Sequence, residues 1–261
     1  MAPQTIVLPT EVSEVDNSWA SQKFGIIGSP GCGKSELLAQ DPNSFFIQTE
    51  AGLNHLKVKK VVCRTWDDAL AIRTALIQAN QTGKFPYTGG NIVIDTIDEF
   101  IDCADQEVIA RGKEKFKAAE INGIGDVPNG AGWDWRKTLV MNYLQSLESL
   151  PCAIWFIGHL DYKEVKKPNN TSMHKQTISI GGKLGGALLA WVDHFLNVEA
   201  IGEGAQAKRK VRTIPTSSVE AKSRGGMVQD GWLWENPSDM SREGMEKAAK
   251  ANYTKLRASF K

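Results

Sequence analysis

Cysteine and histidine are scarce in this chain of 261 residues, four of each, and neither is clustered. Cys32, Cys63, Cys103 and Cys152 form no C-x-x-C pair, and His55, His159, His174 and His194 lie scattered among them. That excludes the ligand spacing of a structural zinc module. It leaves reduced thiols, as in a cytoplasmic compartment, as the simplest account. The opening residues Met1–Pro9 lack a basic n-region, and Ile6-Val7-Leu8 is too short an apolar run for a signal peptide or membrane anchor. Repeats and low-complexity tracts are absent. Net charge is small too, +1 overall, but unevenly spread. Residues 1–160 carry 14 basic and 19 acidic side chains, whereas residues 161–261 carry 17 and 11. The C-terminal excess gathers at Lys163–Lys183 and Lys208–Arg212, as a nucleic-acid footprint or solvated basic loops would.

What is present starts with Gly28-Ser29-Pro30-Gly31-Cys32-Gly33-Lys34-Ser35, a complete G-x-x-x-x-G-K-[ST] phosphate-binding loop. It follows the apolar Phe24-Gly25-Ile26-Ile27 and precedes the helix-forming Glu36-Leu37-Leu38-Ala39, the strand–turn–helix context that the motif requires. Glycines let backbone N–H groups converge on phosphate oxygens with no Cβ in the way. Lys34 would reach the β/γ-phosphates and the Ser35 hydroxyl would hold Mg²⁺. The motif therefore implies a bound nucleoside triphosphate.

The rest of the chain alternates strands and helices. Apolar strands are expected at Lys23–Ile27, Ser44–Thr49, Asn91–Asp95, Cys152–Gly158 and His194–Ala200. Thr65 and Asp68 cap a helix over Ala69–Gln81, a polar helix follows Asp95 to about Lys117, and Asp134–Leu150 is amphipathic. Leu184–Trp191 makes a short helix and Ser241–Phe260 a basic one. Residues 118–132 read as a glycine-rich loop, and 161–182 as a basic loop too long for a mere connection. Lys210–Ile214 and Val219–Lys222 are expected to pair as a hairpin at the sheet edge. The fold class is α/β, a mostly parallel sheet with helices on both faces and an antiparallel edge hairpin. Residues 1–20 read as an N-terminal arm and possible subunit contact, 21–235 as the core, and 236–261 as the C-terminal basic helix.

A phosphate loop needs an acidic partner for the metal, and Asp95 ends an apolar strand where it can orient the Mg²⁺ shell. Hydrolysis also needs a carboxylate to activate water. Many phosphate-loop ATPases place a glutamate directly after the metal aspartate, but here that residue is Thr96. Asp98 and Glu99 come a turn later on a helix leading away, so Glu50, ending the strand after the phosphate-loop helix, is the favoured base. Trp133 and Trp135 suit either base stacking or, preferably, anchoring of a helix end.

Phe46-Ile47-Gln48-Thr49-Glu50-Ala51-Gly52-Leu53-Asn54 resembles the RecA-type strand ending in a catalytic glutamate. Ile92-Val93-Ile94-Asp95-Thr96 resembles that family's metal-binding strand, and Trp155-Phe156-Ile157-Gly158-His159 its strand ending in a γ-phosphate sensor. RecA has glutamine at the sensor, so His159 is a departure. Ala221-Lys222-Ser223-Arg224 is similar to the lysine–arginine pair that RecA-like motors insert into a neighbour's ATP site. The combination is similar to RecA-like phage nucleotide-binding proteins, some implicated in single-strand annealing.

That resemblance implies ATP at subunit interfaces of a homo-oligomer in the host cytoplasm, held by residues 28–35 with Asn54. It implies catalysis by Glu50, Lys34, His159 and, from the neighbour, Lys222 and Arg224. The basic segment sits where the family keeps its second DNA-binding loop, so Lys163, Lys166, Lys167, Lys175 and Lys183 become candidates for single-stranded DNA. A ring helicase or translocase shares this core, and an ATP-gated scaffold for a protein partner stays open. A nucleoside kinase is disfavoured, since no arginine-rich lid follows the core.

Overall fold

Side chains alternate across a strand, so a strand apolar at every position must be covered on both faces. Five of the segments above meet that condition and form the centre of a ten-stranded sheet in the computed structural model. It describes residues 10–12, 14–117, 120–166, 172–202, 208–237 and 241–260. The strands are β1 (Lys23–Gly28), β2 (Ser44–Gln48), β3 (Lys59–Val62), β4 (Asn91–Asp95), β5 (Ala153–Lys166), β6 (Ser172–Ile178), β7 (His194–Ile201), β8 (Lys208–Arg212), β9 (Lys222–Ser223) and β10 (Trp232–Trp234). The helices are α1 (Lys34–Leu38), α2 (Trp66–Gln81), α3 (Ile97–Lys115), α4 (Ala131–Leu147), α5 (Gly182–Trp191) and α6 (Arg242–Arg257).

The strand order is β10-β8-β7-β1-β5-β4-β2-β3, with the segment from β7 to β3 parallel and β8 and β10 antiparallel at one edge. Alternate residues feed two cores. Ile27, Ile94, Ile154 and Phe156 pack under α2, α3, α4 and α5. Phe24, Ile26, Val93, Trp155 and Ile157 pack under α1, α6 and Trp19. The expected mostly parallel sheet with helices on both faces is what forms. Among the described residues no helix is long and apolar enough to cross a membrane.

Three local expectations are corrected, and one strand is added. The segment 161–182 is not a loop: β5 continues to Lys166, and β6 returns along it as an antiparallel ribbon. Both faces of its outer part meet solvent, so it carries no hydrophobic period to read. Strand β3, Lys59-Lys60-Val61-Val62, is a short charged edge that turns only Val61 to the core, so it shows no period either. The segments at 210–214 and 219–222 do not pair with each other; β8 and β9 both pair with β7, along Asn197–Ile201 and His194–Phe195. The Asp230 carboxylate accepts from the N–H groups of Thr213 and Ile214 at 2.7 and 3.0 Å, which ends β8 before a hairpin can close. Two 3-10 turns, Ile124–Asp126 and Pro128–Gly130, occupy the expected glycine-rich loop, and α4 starts at Ala131.

Trp19 and Phe260, far apart in sequence, meet in the core. Trp19 is 5% exposed, with ring centroids 5.0 Å from Phe24 and 5.2 Å from Phe260. Its indole N–H donates to Asn91 Oδ1 at 3.0 Å, and Asn91 Nδ2 donates to Ser44 Oγ and the Tyr253 hydroxyl oxygen at 2.8 and 3.1 Å. A buried polar network of this kind is stable only when each member is satisfied. Trp19→Ala opens a cavity and strips Asn91 of its donor, so it should lower unfolding stability by about 3–5 kcal/mol. Equilibrium denaturation checks this; a loss below about 1 kcal/mol would place Trp19 outside the cooperative core.

Candidate functional site

Strand β1 delivers the chain at Gly28 into the turn that precedes α1. Gly31 and Gly33 have φ of 71° and 90°, left-handed values that favour glycine. Lys34 lies inside the loop, its ammonium donating to the carbonyls of Gly28 and Ser29 at 2.8 and 3.2 Å. Ser35 Oγ donates to Asp95 Oδ2 at 2.7 Å, which joins the first turn of α1 to the end of β4. Asp95 is buried, and burial is the main force pushing its carboxyl up, opposed by the Ser35 hydrogen bond.

Two protein oxygens beside a phosphate loop match what Mg²⁺ takes, since that ion completes its shell with water and phosphate oxygens. Among the described residues no group of three or more His, Cys, Asp or Glu could cage a metal alone. The neighbouring Thr96 Oγ1 is buried in the described structure without a hydrogen-bond partner. The donor set therefore fits a hard cation bound together with a phosphate.

Glu50 stands just beyond β2, its N–H reaching the Asp95 carbonyl at 3.4 Å. Its Oε2 lies 3.7 Å from His159 Nε2, and the two groups line one cavity of about 240 Å³. Lys34, Ser35, Asp95 and Thr96 line the same cavity. His159 is placed by parallel register, opposite Gly28 of the phosphate loop. Its Nδ1 lies 3.2 Å from Asp98 Oδ2, and its backbone N–H donates to that oxygen at 3.0 Å. The Ser179 hydroxyl donates to the other Asp98 oxygen. Asp98 therefore lies against one ring nitrogen of His159 and Glu50 against the other. Burial raises the Asp98 carboxyl and the His159 backbone N–H lowers it.

Asp98 is the residue whose place the sequence hid. It does sit on the helix after Asp95, but the first turn of α3 points back at His159 rather than away. Its spacing of three from Asp95 was the available signal.

Other candidates lie elsewhere. Asn54 Oδ1 accepts from Lys60 Nζ at 3.0 Å and lines a neighbouring cavity with Glu36, His55 and Arg242 instead of the phosphate-loop cavity. Lys222 Nζ donates to the carbonyls of Leu189, Ala190 and Val192 at 2.9, 3.1 and 2.6 Å, closing the end of α5. Arg224 donates to Asp193 Oδ1 at 2.8 Å, and its side chain is 58% exposed. Lys163 stands opposite Lys175 on the ribbon, and Lys175 pairs with Glu220 at 2.7 Å. Lys166 is exposed on β5, and Lys167 lies outside the described residues. Lys183 pairs with Asp134 at 3.0 Å. Trp135 stacks on Phe116, anchoring its helix, whereas Trp133 is 47% exposed.

Residues 20–225 match a family model described as an AAA domain, AAA_24. No curated protein matches the chain. Among solved structures, the chain is similar to the KaiC-like protein PH0186 from the hyperthermophilic archaeon Pyrococcus horikoshii OT3. That similarity has 10% identity and a TM-score of 0.41, covering 74% of this chain and 78% of that one.

The buried Asp95 carboxyl has a stability consequence. A carboxyl raised on folding keeps its proton longer in the native state, so stability falls as pH rises from the unfolded value through the folded one. Asp95→Asn removes that loss. Without nucleotide or Mg²⁺, the variant should melt above the wild type at pH 7, and the difference should shrink as pH falls below the unfolded carboxyl value of about 3.9. A variant less stable than wild type at pH 7 would overturn this reading.

Proposed function

The chain belongs to the AAA_24 family of AAA domains, and we propose that it binds ATP with Mg²⁺ and hydrolyses it within a homo-oligomer that engages single-stranded DNA. The observation that carries the hydrolytic reading is Glu50 lying 3.7 Å from His159 in the cavity that Lys34, Ser35 and Asp95 also line.

Loop N–H groups hold the phosphates, and the Lys34 ammonium turns from its two carbonyls to the β/γ-oxygens. Ser35 and Asp95 are the residues that would hold Mg²⁺, which when bound neutralises charge on those oxygens. Glu50 takes the proton of the attacking water. His159, oriented by Asp98, contacts the γ-phosphate and reports its presence along β5, which runs unbroken from His159 into the ribbon. Lys163, Lys166 and Lys175, with Lys167 and Lys183, meet the DNA backbone. Lys222 and Arg224 leave their contacts at the end of α5 to reach a neighbour's γ-phosphate. Recombination or annealing is the process such DNA-stimulated turnover serves. One observation favours a scaffold with a protein partner instead: Tyr162 and Val165, exposed by 57% and 39%, lie on the ribbon.

Glu50→Gln should keep ATP binding while hydrolysis falls by roughly two or more orders of magnitude. Mixing it with the inactive Arg224→Ala protein should restore some turnover at mixed interfaces. Near wild-type hydrolysis by Glu50→Gln would remove Glu50 as the base, and mixtures as dead as their components would remove the contact between neighbours.

For the ribbon, Lys163, Lys166 and Lys175 replaced together by alanine should weaken single-strand binding and flatten its salt slope by up to roughly two units, about 0.7 per lost contact. ATP affinity should stay unchanged. An unaltered slope with full DNA affinity takes the ribbon out of the DNA site and favours the scaffold.

A further inference from the structure

Opposite Glu50 and His159, the antiparallel edge of the sheet comes up against the other corner of the phosphate loop. A Cβ built on Gly33 would stand 3.3 Å from Glu36 Oε2, 3.6 Å from an Arg209 guanidinium nitrogen and 3.9 Å from Trp234 Cζ2. Arg209 of β8 and Trp234 of β10 are direct cross-strand partners. The Trp234 ring is nearly buried and stacks on Trp232, with centroids 5.9 Å apart and planes 7° apart, so the platform beside Arg209 is fixed. Arg209 itself is half-buried, and among the described residues no carboxylate lies within ion-pair distance of it. Its neighbour Arg212, by contrast, is neutralised by Asp230 at 3.5 Å.

Direction along the loop gives this cation its place. Lysine and serine of the motif face the β/γ end and the metal, whereas the backbone preceding the lysine cradles the α/β-phosphates. Asp95, Glu50 and His159 mark the γ end of the cavity. Gly33, flanked by Arg209, therefore belongs to the α/β end.

We propose that Arg209 is a nucleotide-binding residue acting within its own subunit, its guanidinium contacting the α/β-phosphates from the β8–β10 edge. A planar, permanently charged donor fork suits phosphate oxygens, and the one carboxylate at this corner, Glu36, has its other oxygen 3.8 Å from His55 Nε2. The inference rests on the nucleotide-binding reading and extends it to an element outside the motif. It also gives the edge strands a purpose: they carry Arg209 to the loop and hold it there.

The test is titration with ADP, which carries the α- and β-phosphates and no γ-phosphate. Wild-type binding of ADP, with ATP affinity weakened by Lys34→Ala, establishes the underlying reading; failure of both sinks that reading and this one together. Given binding, Arg209→Ala should raise the dissociation constants for ADP and ATP by a similar factor, about tenfold or more. Arg209→Lys should recover part of the loss by restoring charge. Wild-type ADP affinity in Arg209→Ala overturns the proposal alone, as does a loss confined to ATP, which would move Arg209 to the γ end. Should Arg209→Ala fail to fold, Arg209→Gln, which keeps the stem and removes the charge, decides by the same ADP measurement.

Discussion

Everything at the site depends on β5 lying between β1 and β4 in parallel register. His159 stands beside Gly28 on one side, and Ile157 beside Asp95 on the other. Ala153 to Gly158 are all buried, so a slip of one residue would turn that entire set to the wrong face. Register is thus held by the two cores, and His159, the phosphate loop and Asp95 are aligned by the packing of the residues that precede each of them. Gly25 makes the alignment possible: a Cβ there would meet Phe156 at 2.5 Å and Phe195 at 2.7 Å, so only a bare backbone lets these rings fill the layer between strands.

The same strand also joins regions of different character. Its first half is core and its second half is an exposed ribbon, with His159 at the junction. The return strand β6 is tied sideways: Gln176 exchanges backbone hydrogen bonds of 2.8 Å with Ser218 and Glu220, just before Lys222. One set of hydrogen bonds therefore runs from the phosphate cavity through the ribbon to the end of α5. Such continuity supplies a physical route for coupling, provided that one of its elements has two arrangements.

How much of this was readable follows from what each feature rests on. The phosphate loop, the buried strands and the Thr65/Asp68 capping box are local patterns, and each is present, the capping box with bonds of 3.1 and 3.0 Å. The outer ribbon lacks a buried face and β3 turns only Val61 to the core, so no periodicity announces them. Trp19 reads as part of a polar arm because its partners lie 72 residues away at Asn91 and at the far end of the chain. Asp98 and Arg209 are missed for a related reason: their importance comes from neighbours that only the folded sheet brings near.

The site also holds buried polar groups whose surroundings do not favour their charged forms. Asp95 and Asp98 are carboxyls raised by burial, Thr96 keeps an unpartnered hydroxyl among the described residues, and Lys34 bonds to loop carbonyls of its own turn. Buried polar groups are normally paired, and at the site the two carboxylates and the lysine are, by contacts within the protein that a ligand would have to replace. A cation with a polyphosphate would relieve the carboxylate and draw out the lysine. Ligand binding of this kind stabilises the native state in proportion to the logarithm of its concentration over the dissociation constant. The deficit in the core at Asp95 and the affinity of the loop are therefore two sides of one arrangement.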